Sequence, residues 1–90
     1  MKILSQRSKI RFTMHAREKF DLVKQYGFQI DESKVIETLL NPSLLERKNT
    51  QYFAAKALDR NYALRVVYEK RKGYLVVVTF YPVRRERYGI

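Results

Sequence analysis

Apolar residues recur at helical spacing along the first half of the chain and at a spacing near two along the second. After Thr13, the residues Ala16, Phe20, Leu22, Val23 and Tyr26 share one arc at 100° per residue. Arg17, Glu18, Asp21, Lys24 and Gln25 share the other. Thr13 is a capping residue, and Gly27 stands where a left-handed C-terminal cap is wanted. The pattern therefore predicts a helix from Thr13 to about Tyr26, with Arg17 and Asp21 placed four apart to pair on its wet side. Phe28, Gln29 and Ile30 lead to Asp31, a second N-cap, with Glu32 in the first turn. Val35, Ile36, Leu39 and Leu40 form the apolar stripe of a second helix. Asn41-Pro42 stops it, because the residue before proline is pushed out of the helical region.

From Ser43 onward the alternation predicts strands over Leu44–Lys48, Gln51–Leu58, Tyr62–Lys70 and Tyr74–Tyr81. The intervening Lys48-Asn49-Thr50, Asp59-Arg60-Asn61 and Arg71-Lys72-Gly73 are short enough for hairpins. In the third of these strands Tyr62, Leu64, Val66 and Tyr68 face one way, and Ala63, Arg65, Val67 and Glu69 the other. The last strand is apolar on both faces, as a central strand covered on both sides or one turned to a partner would be. The expected fold is α+β: two N-terminal helices packed on one face of a three- to four-stranded antiparallel sheet. Strand-like residues around Lys9 to Phe12 can add an N-terminal edge strand.

Ninety residues make one domain, with residues 1–8 a candidate disordered segment and 83–90 a basic C-terminal tail. With no cysteine, disulfide frameworks, thiolate zinc sites and thiol catalysis are excluded. One histidine and three aspartates give no expectation of a dedicated metal cage or other cofactor. No apolar run approaches the roughly 18 residues of a membrane span. The first twelve residues have no apolar centre of the secretory kind, so a cytoplasmic location is expected. Membrane binding ranks last, since neither helix joins a basic polar face to a bulky apolar one.

Charge adds the main functional cue. Nineteen Lys plus Arg face nine Asp plus Glu, a formal +10, which favours a polyanion or an acidic partner. Residues 1–42 hold eight basic and five acidic side chains; residues 43–90 hold eleven and four, so the sheet half carries net +7. Lys70-Arg71-Lys72 occupies a turn, as a solvated loop or as a nucleic-acid contact. The tail Arg84-Arg85-Glu86-Arg87-Tyr88 is either a frayed terminus or a phosphate grip, arginine forks holding phosphate and tyrosine planes stacking on bases. Of the seven tyrosines most suit structural roles, whereas Tyr81 and Tyr88 neighbour the arginines. Arg65 projects from mid-sheet, either paired with Glu69 two pleats along or free to clamp a phosphate. His15, at the border of the apolar arc, is either a structural hydrogen bonder or the candidate for proton transfer near neutral pH.

Several motifs, taken in order, resemble the RelE/ParE superfamily of toxins from toxin–antitoxin pairs, and most closely its BrnT-type branch and related small families of unassigned function. They are Thr13-Met14-His15-Ala16-Arg17-Glu18-Lys19-Phe20, Leu39-Leu40-Asn41-Pro42, Leu64-Arg65-Val66-Val67-Tyr68-Glu69 and Arg84-Arg85-Glu86-Arg87-Tyr88. The resemblance spans residues 9 to 90, although Thr79-Phe80-Tyr81-Pro82 departs from the BrnT pattern. It implies a metal-independent endoribonuclease that cuts mRNA, often on the ribosome, and is neutralised by an acidic antitoxin protein. It places Arg65, Arg84 and Arg87 on the phosphate and Tyr81 or Tyr88 on a base or the leaving oxygen, with His15 or Glu86 as base. Arg65, Lys70, Arg71, Lys72, Tyr81, Arg84, Arg85 and Arg87 form the expected nucleic-acid surface. The alternatives are a non-catalytic nucleic-acid- or protein-binding module of the same fold, or a ParE-like topoisomerase inhibitor. The protein is expected as a monomer or bound to its antitoxin.

Overall fold

A computed structural model describes residues 9–90, so the candidate disordered segment 1–8 lies outside the described residues. The elements run β1 (Ile10–Phe12), α1 (Met14–Gln25), α2 (Glu32–Leu40), β2 (Leu44–Lys48), β3 (Gln51–Ala57), β4 (Tyr62–Arg71) and β5 (Tyr74–Arg84), closing in a 3₁₀ turn at Arg85–Arg87. Both expected helices form. Thr13 Oγ1 accepts from the Ala16 amide at 3.0 Å and donates to the Val78 carbonyl at 3.1 Å, so one side chain caps α1 and ties it to β5. At the other end Phe28 N–H reaches Val23 O and Gly27 N–H reaches Lys24 O, with Gly27 at φ 90°, the left-handed closure its backbone favours. Asp31 Oδ1 accepts from the Lys34 amide at 2.9 Å and starts α2.

The sheet differs from the sequence expectation. It has five strands in the order β1-β5-β4-β3-β2 and is mixed. The residues around Lys9 to Phe12 do pair at its edge, but parallel to β5, with Ile10 opposite Leu75. Period-two patterning specifies a strand and its faces but carries no sign of strand direction, so it does not separate a parallel edge strand from an antiparallel one. The last strand runs on through Arg84 rather than ending at Tyr81, because Arg84 pairs with Tyr62 at the start of β4. A bulge where Val67 gives way to Tyr68 breaks the alternation in β5, so Val77 and Phe80 both reach the core.

Both helices pack on one face, where Leu64, Val66, Tyr68, Val77 and Phe80 meet Ala16, Val23, Val35 and Leu39. Fully burying each large side chain there contributes about 1.5–3 kcal/mol. Phe20 sits 4.7 Å from Phe80 and 5.8 Å from Phe12, centroid to centroid, so α1 closes the seam between β1 and β5. α1 covers only that flank. Leu22 and Tyr26, expected in the buried arc, are therefore 41% and 75% exposed, and the buried strip narrows to Ala16 and Val23 with Phe20 half-buried beside them. Arg17 pairs not with Asp21 but with Glu32 at 3.2 Å, across the two helices and over the Phe12 ring. Lys56 donates to Glu37 and to the Asn41 carbonyl, joining α2 to β3; that bond, with Lys34 nearby, holds the Glu37 carboxyl below its ordinary value. Among the described residues no helix is long and apolar enough to cross a membrane.

Candidate functional site

The sheet face away from the helices is built around Arg65. In the register Arg65 lies between Ala55 on β3 and Tyr81 on β5. The small Ala55 leaves room for the guanidinium to turn along the sheet, where it stacks on the Phe53 ring at 4.7 Å and on the Tyr88 ring at 5.1 Å. Its Nη1 donates to the Tyr88 hydroxyl at 3.2 Å and the Tyr81 hydroxyl at 3.4 Å, and its Nη2 meets Glu46 Oε1 at 3.4 Å. The side chain is 20% exposed, so its charge is held in a partly dry setting with one open side. The expected alternative partner, Glu69, is taken by Arg71 at 2.7 Å and by Gln51 at 3.4 Å.

Tyr88 reaches this point because the tail is folded. Arg85 N–H bonds to the Asn61 carbonyl, Arg85 Nε to the Ile90 main-chain oxygen at 2.7 Å and its Nη1 to the Asp59 carbonyl at 3.0 Å. Arg85 is thus a fastening rather than a free cation. The β3–β4 turn receiving it is itself fixed by Asp59 Oδ1, which accepts from the Asn61 and Tyr62 amides, both at 2.8 Å. Arg84 lies over the Tyr62 ring at 5.3 Å. Together with Arg87, Tyr88, Pro82 and Val83 these two residues line a hollow of about 320 Å³ at the end of β5. Glu86 is exposed on the same turn and makes no ion pair among the described residues.

The structure thus brings together Arg65, Tyr81 and Tyr88, and sets the Arg84–Arg87 hollow beside them through Tyr88. Lys70, Arg71 and Lys72 lie elsewhere, at the far end of the β4–β5 hairpin, about 30 Å along the strands from Arg84. His15 is exposed in the first turn of α1 and joins none of the contacts around Arg65. Three participants escaped the sequence reading: Glu46, Phe53 and Lys19, whose ammonium lies 5.7 Å from the Tyr81 ring centre. Glu46 and Phe53 were within reach of it. A two-residue turn at Asn49-Thr50 makes them directly opposed, on the face that alternation assigns to Arg65.

Among the described residues Thr79 Oγ1 is the one buried side-chain oxygen without a partner, on the residue opposite Val67 in the row next to Arg65. A second concavity, about 530 Å³, lies between the helices and is lined by charges of both signs over Phe20 and Phe28. It converges on no reactive group. No cluster of three or more His, Asp or Glu placed to hold a metal occurs among the described residues. The face around Arg65 can hold an anion, stack a planar group and move a proton through a carboxylate and two phenols. Comparison of the chain with family models, with curated proteins and with solved structures finds no match.

Proposed function

We propose that the open sheet face binds single-stranded RNA and cleaves it as a metal-independent endoribonuclease, the activity expected of a RelE-like toxin. The observation that carries this reading is the Arg65 guanidinium held between two aromatic rings with a carboxylate and two phenolic hydroxyls within 3.4 Å. In the reaction the ribose 2′-oxygen attacks the adjacent phosphorus. The O2′–P bond forms, the P–O5′ bond breaks, and a 2′,3′-cyclic phosphate and a 5′-hydroxyl result. Glu46 takes the 2′-hydroxyl proton, Arg65 stabilises the charge gathering on the phosphoryl oxygens, and Tyr88 returns a proton to the leaving oxygen. Arg84 and Arg87 grip the next phosphate or frame a base in the hollow beside Tyr88. An acidic protein laid over this face would neutralise it.

Purified protein incubated with mRNA, with and without ribosomes, should yield fragments with cyclic-phosphate ends in the presence of chelator. Arg65→Ala and Glu46→Gln should each lower the rate on the order of 10²–10³-fold. Intact RNA, or cleavage indifferent to both substitutions, would overturn the reading. RNA bound with steep salt dependence but never cut would identify a binding module instead, and topoisomerase inhibition without RNA cleavage a third kind of protein.

A further inference from the structure

On the helix-side face, towards the end of the sheet that carries the β2–β3 turn, a second group of cations is gathered by the sheet register. Arg47 lies opposite Tyr52, Tyr52 opposite Tyr68, and Lys70 two positions past Tyr68. The Tyr52 and Tyr68 rings stack at 5.2 Å with 16° between their planes. Arg47 and Lys70 both sit over Tyr52, at 5.5 and 4.7 Å from the ring centre. Neither has a carboxylate partner among the described residues: Arg47 Nε donates to the Asn49 carbonyl, and the neighbouring Glu69 is held by Arg71 on the opposite face. Two unpaired charges fixed over an aromatic platform are poised for an anion at little ordering cost.

We infer that Arg47 and Lys70 form a second phosphate site, which holds the RNA backbone after it leaves Arg65; the inference rests on the RNA reading above. The path is short. Glu46 and Arg47 are consecutive on β2, the outermost strand on that side among the described residues, and their side chains point to opposite faces. A strand leaving the Arg65 cluster beside Glu46 has only to round this one strand to meet Arg47. A single-stranded chain does so easily, whereas an RNA too short to round the edge never reaches the site.

Non-cleavable 2′-O-methyl RNAs of twenty and of three nucleotides test this against the variant R47Q/K70Q, with near-UV circular dichroism as the check on folding. Loss of two phosphate contacts should reduce the slope of log K against log salt for the 20-mer by about 1.4 and its affinity at 0.1 M salt by about twentyfold. Trimer binding should be unchanged. A wild-type slope and affinity for the 20-mer would overturn the inference, as would weakened binding of a poly-glutamate peptide with RNA binding intact, which would mark a protein-docking surface. If R47Q/K70Q matches wild type while Arg65→Ala loses the RNA, the second site fails and the first stands. If the pattern is reversed, the Arg65 reading fails and the path from Arg65 to Arg47 fails with it, although Arg47 and Lys70 still bind RNA.

Discussion

Arg65 owes its position to two neighbours: Ala55, which is too small to displace it, and Tyr81, whose hydroxyl it meets across the pair. Alternation along β4 was enough to place it in mid-sheet with Val67, opposite Leu64 and Val66. Its partners were not legible there, because Glu46 is 19 positions away and Tyr88 is 23 away. Those contacts depend on register and on a turn after the last strand, neither of which a local pattern specifies. On the other face of the same strand, Tyr68 is 5% exposed and stacked on Tyr52. Burial pushes its phenol above the ordinary value of 10.0, with Tyr52 adding to the shift. The folded state therefore keeps this proton where the unfolded chain loses it, so the contribution is whole below pH 10.0 and drains away as pH rises towards the folded value. Tyr68→Phe should lose less stability than the wild type between pH 9 and 11, measured by urea unfolding, and should match it closely at pH 7. Parallel alkaline limbs would refute this.

At the scale of elements, caps and stops were the most legible features. Thr13, Gly27, Asp31 and Pro42 bound both helices because each acts through its own backbone or the next few residues. How far α1 rolls was not legible: the flank it covers is set by β1 and β5, so Leu22 and Tyr26 stay out while Phe20 faces the sheet as expected. The tail is the clearest case of an element made by distant contacts. Three arginines after a strand could have frayed. Instead Arg85 bonds to three main-chain oxygens, at Asp59, Arg60 and Ile90, and the 3₁₀ turn delivers Tyr88 to Arg65. Arg85→Ala should release this turn alone. Amide exchange at Tyr88 and Gly89 should accelerate at least tenfold, while global unfolding shifts by about 1 kcal/mol or less. Unchanged exchange at both amides would show that the turn holds without Arg85.

Over the whole molecule the +10 is unevenly shared. The stretch 14–40, which holds both helices, has four basic and five acidic side chains, a net of −1, so among the described residues the excess lies in the sheet and its turns. The helical layer is near neutral and the sheet strongly basic. Reversing one charge should therefore matter by place: Lys48→Glu should elute from a heparin column at clearly lower salt than the wild type, and Lys24→Glu close to it. Equal shifts for the two variants would mean that net charge alone governs binding. The pairing of β1 with β5 has a consequence in time. Thr13 and Val78 are bonded across 65 positions, and Phe20 finds Phe80 only when the last strand is in place. On a chain made from its N-terminus, both helices emerge long before the strand that covers them. The α1 flank must wait uncovered, so the fold closes late and Arg65 gains Tyr81 and Tyr88 only once β5 and the turn after it have been made. A nascent fragment cut short before β5 carries the arginine without its site.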